Sequence, residues 1–492
     1  MFRKLLTFIR SVVRRLVPYK DVQQVEKVET PLSSDMVNAL DDWYDMYQGK
    51  PSWLGSESCT RSLGLPAFIS GEIARQVVLE LKWNITGKDK TGKGNADVMT
   101  PRATYLKEEF TRCMSEIRQN LEIGCASGGM AIKPYPKDGH IYFDWVADWS
   151  LYPIAFDDDG GLRDVVFRDT YAEGKVFYTR LERHTLTDKG VKITQRAFRS
   201  NMRDTVGVEI PLSTVPLWAD VQPESLVENS EGQMFGWYRV AAANNIEVGC
   251  PMGVSVFSRA KSLIQDADEQ YSRLMWEFEG SELAVDVDPT VLKPKRVSNP
   301  DGSTKMEMPK LNDRLFRGVD TGKDDTYHVF SPQIRDAAIL HGLEQILTRI
   351  EDQCGMSRGS LTEAPAVART ATEMRLLRQR SYATVADNQA ALERCLRAVI
   401  RAMDKYATLY KLAPEGEYDV SFQWDDSIIT DSEQMMNERM ILMNAGVYSK
   451  AEMRQWYFGE TEIQAQEAVE NALAEQLKAA AMLGEAMPQV TP

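Results

Sequence analysis

Three short stretches hold residue types whose spacing could do chemistry. In GKDKTGKGNAD, Gly87 and the pair Gly92-Lys93 have the separation of a phosphate-binding loop, which would make the chain an NTPase. Position 94 is glycine, where that motif needs a Ser or Thr hydroxyl for magnesium. The loop also follows an apparent helix end rather than a buried strand, and no helix is expected to begin at Lys93, so a solvated loop fits better. Asp157-Asp158-Asp159-Gly160-Gly161 gathers acids as a calcium loop does. Its acids are consecutive rather than alternating and no glutamate stands at the twelfth position, so a hairpin turn is expected. Asp425-Asp426 closes a strand-like stretch, yet acids also collect before helices because they favour the dipole. The six cysteines form no CxxC pair and the four histidines lie far apart, which reads as reduced thiols without a zinc site. H-E-x-x-H, zinc-finger and helix-turn-helix signatures are all missing. The expectation is therefore a protein without catalysis, cofactor or metal.

Composition narrows the class further. A chain of 492 residues with 43% apolar side chains can build real cores, and its length favours several domains or one large elongated assembly. The net charge of −14 argues against a broad basic footprint that grips nucleic acid through its phosphates. The opening MFRKLLTFIRSVVRRLV places Phe2, Leu5, Leu6, Ile9, Val12, Val13 and Leu16 on one helical face, with arginines and Lys4 elsewhere. It has no uninterrupted apolar core for a signal peptide or membrane span. Two readings stand, an arm packing on a neighbouring subunit and a basic helix lying on an anionic membrane.

Positioning falls to helices. Phe257, Ala260, Ile264, Ala267, Tyr271, Leu274 and Phe278 step by three and four residues, predicting a helix from Gly253 to Glu279 capped by Gly280 in the left-handed region. Such a helix of about 27 residues spans roughly 40 Å and needs a partner of similar length. Ser331-Pro332 reads as the start of that partner, with Ile339, Leu343, Ile346 and Ile350 on its seam and Gly355 at its end. Between them, residues 283–331 hold four prolines and basic side chains on short β-like runs, and read as a compact β-rich protrusion.

Upstream, helices are expected over Ser33–Tyr47, Leu65–Leu81 and Thr104–Asn120, followed by antiparallel strands at Met130–Lys133, His140–Trp145, Val165–Thr170, Lys175–His184 and Lys192–Phe198. Trp145, Trp149, Tyr152 and Tyr178 read as packing aromatics, and residues 200–230 as a polar linker. Downstream, Thr370 and Glu373 form a capping box for a helix running to Lys411, with Leu392, Leu396, Val399, Met403, Tyr406 and Tyr410 on its seam. A strand is expected at Tyr418–Trp424. Capping boxes at Thr430/Glu433 and Ser449/Glu452, stops at Gly446 and Gly459, and an alanine-rich helix over 461–483 complete a helical tail.

In this order, PMGVSVFSRAKSLIQDADEQYSRLMWEFEG, RTATEMRLLRQRSYATVADNQAALE and WDDSIITDSEQMMNERMILMNAGVYSKAEM resemble tailed-bacteriophage portal proteins of phages and prophages of Gram-positive bacteria. DDWYDMYQGKPSW and AIKPYPKDGHIYFDWVADWSLYPIAFDDDGGLRDVVF resemble the same family, so the likeness covers most of the chain. It implies an α+β, mainly helical subunit of wing, stem, clip and crown, joined in a ring usually of twelve copies at one capsid vertex of the virion and assembled in the host cytoplasm. Double-stranded DNA would pass through without sequence preference. Terminase, an adaptor or head-completion protein, and the major capsid and scaffolding proteins would be partners.

Mapped onto this chain, the resemblance gives an arm at 1–20, a wing at 21–250, stem helices at 251–282 and 332–355 carrying Phe257, Ile264, Tyr271, Leu274, Ile339, Leu343 and Ile346, and a clip at 283–331. Lys293, Lys295, Arg296, Arg314 and Arg317 would meet partners at the clip. A tunnel loop at 356–370 would present Arg358, Ser360, Thr362 and Arg369 to DNA, followed by a long helix and wing return at 371–428 and a crown at 429–492. The competing readings are a membrane-associated or head-to-tail connector scaffold using the N-terminal helix, and an NTPase using Gly92-Lys93.

Overall fold

The computed structural model describes residues 19–55, 59–88, 99–202, 205–287, 295–298, 304–307, 316–318, 327–362, 371–424, 432–458 and most of 465–474. It is 45% helical and 25% strand, an α+β chain with helix dominant. Two compact units divide it, Met1–Trp424 and Asp425–Pro492. The amphipathic stretch before Tyr19 lies outside the described residues.

In the first unit, α1 spans Tyr19–Glu26 and α2 spans Ser34–Tyr47. Ser33 caps α2 as its sequence predicts, its hydroxyl accepting from the Met36 amide at 3.2 Å, and Met36, Ala39, Leu40, Trp43 and Met46 all point inward. Next, α3 (Leu65–Val78) ends earlier than expected because Leu81–Gly87 is strand β1. A strand therefore does precede the glycine-lysine loop, contrary to the sequence reading. The loop itself lies outside the described residues, and the next described helix, α4 (Pro101–Ser127), starts at a Thr100 cap.

Two antiparallel sheets follow. One has the order β10-β2-β3, from Gly236–Arg239, Gly129–Lys137 and His140–Ala147. The other runs β4-β5-β6-β7-β8, from Leu151–Phe156, Leu162–Glu173, Val176–Thr187, Gly190–Ser200 and Val208–Ile210, with β9 (Glu224–Glu228) also on β7. All five predicted strands are present. β4 was not anticipated; it is an edge strand, where Pro153 can sit without breaking a ladder. Asp157 forms the expected hairpin turn, its carboxylate accepting from the Gly161 amide at 2.5 Å. The supposed linker at 200–230 contributes β8, β9 and the buried Val215 and Trp218, because its apolar residues cover the β7 side of the sheet.

A long helix, α7 (Ala371–Leu409), backs the β10-β2-β3 sheet. Leu392, Leu396, Val399 and Met403 are fully buried, whereas Tyr410 lies past the helix end and is exposed. Helix and strand approach closely at Gly236, where a Cβ would meet the Cys395 carbonyl oxygen at 2.3 Å. Arg102, at the start of α4, reaches the far end of α7 by donating to the Thr408 hydroxyl at 2.9 Å. Strand β16 (Tyr418–Trp424) then returns to pair with β1, Ile85 opposite Val420. The capping boxes at Thr370 and Thr430, and Asp425-Asp426, lie outside the described residues.

In the second unit, α8 (Ser432–Asn444) ends at Gly446 and α9 (Lys450–Phe458) opens with the predicted capping box. The Ser449 amide donates to Glu452 at 2.7 Å, and the Glu452 amide to the Ser449 hydroxyl at 3.1 Å. Arg439 links the two helices, its guanidinium 4.3 Å from the Trp456 ring centroid. Gly459 and most of 461–483 lie outside the described residues.

Candidate functional site: the paired helices and the loop beyond them

The predicted organising helix is shorter than its heptad pattern. Residues 252–257 run as a buried, non-helical segment against the end of α4, the Val256 amide donating to the Cys125 carbonyl at 3.1 Å. That bond holds the chain out of helical geometry, and α5 spans only Lys261–Gly280. Gly280 is inside the helix rather than a left-handed cap; Ser281 closes it, its amide and hydroxyl both donating to the Glu277 carbonyl. Ile264 and Ala267 are fully buried and Leu274 nearly so, Tyr271 packs half-buried, and Phe257 is buried just ahead of the helix.

The partner helix, α6, spans Asp336–Cys354 and starts later than Ser331-Pro332 predicts. Arg335 explains the shift: its amide and guanidinium all donate to Glu277, the shortest contact being 2.8 Å, and this clamp sets where the first turn meets α5. Hydrogen bonding to Arg335 also lowers the Glu277 pKa. Further along, the Gln270 side chain donates to the Ile339 carbonyl at 3.3 Å. Since 277 meets 335 and 270 meets 339, the helices run antiparallel. Leu343 and Ile350 are buried on the seam, with Ile339 and Ile346 half-buried.

A segment missed by sequence reasoning straps α5 to the rest of its unit. Asp268, 1% exposed, accepts from the Leu63 amide at 2.8 Å and the Trp53 indole at 3.0 Å. Burial raises its pKa, and hydrogen bonds from Leu63, Trp53 and Ser62 only partly offset the rise. The Arg61 amide donates to the Ser272 hydroxyl at 2.7 Å, and its guanidinium pairs with Glu279. An acid in the middle of a heptad pattern was the available signal.

The connection between α5 and α6 is β-rich as predicted. β11 (Ala284–Val287) pairs parallel to β14 (Phe316–Gly318) and antiparallel to β15 (Tyr327–Phe330), while β12 (Lys295–Ser298) and β13 (Thr304–Glu307) form a hairpin. Lys295, Arg296 and Arg317 lie on these strands; Lys293 and Arg314 lie outside the described residues.

Beyond α6, Gly355 is left-handed with φ +67°, and its missing Cβ would meet the Thr384 hydroxyl at 2.3 Å. Arg358 pairs with Asp352 at 3.1 Å, and the Ser360 hydroxyl donates to the Ser357 carbonyl at 2.7 Å. The Thr362 hydroxyl and amide face Glu351. Arg369 lies outside the described residues.

No group of three or more possible metal-ligating acids, histidines or cysteines occurs among the described residues. Their densest buried charge cluster, Lys133, Arg180 and His184 around Glu182, is internally paired within the sheets. None of the described helices is long and apolar enough to cross a membrane.

A family of phage portal proteins, SPP1 Gp6-like, matches residues 73–481, most of the chain, from within α3 to the helical tail. The chain belongs to this phage portal protein family. It is a portal protein, of a structural family that works at the capsid in DNA packaging and head-to-tail connection. No curated protein sequence matches it.

Proposed function

We propose that this portal subunit assembles into a closed ring, usually twelvefold in such portals, in which α5 and α6 form the wall of a DNA conduit. The observation carrying this reading is what the helix pair leaves uncovered. Trp276 is 70% exposed, and Phe278, Leu340 and Ile334, the last just ahead of α6, are each at least 40% exposed, although the two helices already pack on each other. Neighbouring copies on either side, related by rotation, would cover these side chains and close the wall.

Within this reading, 21–250 and 371–428 form the wing, 251–282 and 332–355 the stem, 283–331 the clip, 356–370 the tunnel loop and 429–492 the crown. The clip strands, carrying Lys295, Arg296 and Arg317, would meet terminase and then the adaptor or head-completion protein; capsid and scaffolding proteins would hold the wing. Translocation needs weak contacts that ignore sequence. The acidic chain suits this, since a strongly basic bore would release counterions and retain the DNA. Arg358, balanced by Asp352, adds little net attraction.

Deleting Leu361 to Val367 tests the loop assignment. Rings should still form while DNA packaging or retention falls; normal packaging by such rings would contradict the assignment.

A further inference from the structure

Glu351 lies near the end of α6, and its side chain is fully buried although the helix seam does not use it. One carboxylate oxygen accepts from the backbone amides of Gly359 at 3.1 Å, Leu361 at 2.6 Å and Thr362 at 3.1 Å. The Thr362 hydroxyl stands 3.4 Å from both carboxylate oxygens. The Glu351 backbone carbonyl accepts the Met356 amide at 2.9 Å as the chain leaves the helix through left-handed Gly355. Met356 is itself buried.

A buried carboxylate is costly unless its hydrogen-bonding capacity is met. Here the donors all come from the loop that follows, within eleven residues of Glu351. Converging backbone amides make an anion-binding concavity, and in this case the anion is supplied by the protein. The arrangement suits a carboxylate, whose single oxygen accepts all three amides at once.

We propose that Glu351 is the positioning residue of the tunnel loop: its carboxylate fixes residues 359–362 and so sets where the rest of the loop departs. Its role at a DNA constriction rests on the loop assignment proposed above; its role as a clamp does not. An immobilised base would let the loops of neighbouring subunits hold a common height, while removal of the clamp would free each one separately.

The test compares full-length assembled rings of the wild type, Glu351→Gln and Glu351→Ala by peptide-resolved hydrogen exchange, with packaging measured in parallel. Glu351→Gln keeps the shape but offers neutral acceptance, so it protects against misreading an assembly defect in Glu351→Ala. Exchange of a peptide covering 357–362 should accelerate roughly tenfold to a hundredfold, as expected for losing charge-assisted bonds, while a peptide from 336–350 stays protected. Thr362→Val, which removes a single donor, should give a smaller change in the same peptide. Unchanged loop exchange in rings of both Glu351 variants overturns the clamp. Accelerated exchange with a loss of packaging supports both clamp and constriction. Accelerated exchange with normal packaging supports the clamp and contradicts the constriction.

Discussion

Asp268 ties the first paired helix to the body of its unit, and replacing it with alanine should uncouple the two. The substitution leaves two donors, the Leu63 amide and the Trp53 indole, without their acceptor. An unsatisfied buried donor costs about 1–3 kcal/mol. Trp53 is only half-buried and recovers part of its loss from water, so Asp268→Ala should destabilise the subunit by about 2–4 kcal/mol. Asp268→Asn offers one acceptor oxygen to two donors and should fall between wild type and alanine. Urea unfolding at fixed protein concentration, followed by tryptophan fluorescence, measures both. A loss below about 1 kcal/mol for alanine, or an asparagine variant as unstable as alanine, would refute the strap as a stabilising element.

Two other substitutions probe the fold, one at the end of α6 and one in the sheets. Gly355→Ala forces a side chain into φ +67° and onto the Thr384 hydroxyl, so it should cost about 1–3 kcal/mol in the same assay, with only part recovered by adding Thr384→Ala. Asp148 is fully buried, and desolvation raises its pKa to about 7 against the pull of a hydrogen bond from Trp237. Its folded pKa exceeds the unfolded value, so between about pH 4 and 7 the native state binds the extra proton and stability falls as pH rises. Melting temperatures from pH 5 to 8 should therefore decline more steeply for wild type than for Asp148→Asn, the whole effect being on the order of 4 kcal/mol; parallel curves would contradict it.

Much of the fold is local and was legible as such. Ser33 and Ser449 announce helix starts through side chains that satisfy their own backbone, and the period-two runs from Met130 to Phe198 need no distant information. What escaped depends on partners far along the chain. Leu81 reads as the last residue of a helix, and the strand Leu81–Gly87 is not recognisable until Tyr418–Trp424 lies beside it. The first heptads before Lys261 follow helical spacing, but the contact between Val256 and Cys125 overrides them. Ser331-Pro332 is a sound start signal, yet the bond between Arg335 and Glu277, formed across the protrusion, decides where α6 begins. At the site, the hydroxyls and arginines of 356–370 are singled out by the family resemblance alone. The residue that organises that loop, Glu351, looks from its sequence like another charge on a helix; only its burial distinguishes it.

The central claim is that the helix pair of one subunit is a segment of a wall completed by its neighbours. Negative-stain electron microscopy of the purified full-length protein tests it most directly. Closed rings with a central hole are predicted, and a population of compact monomers would contradict the account.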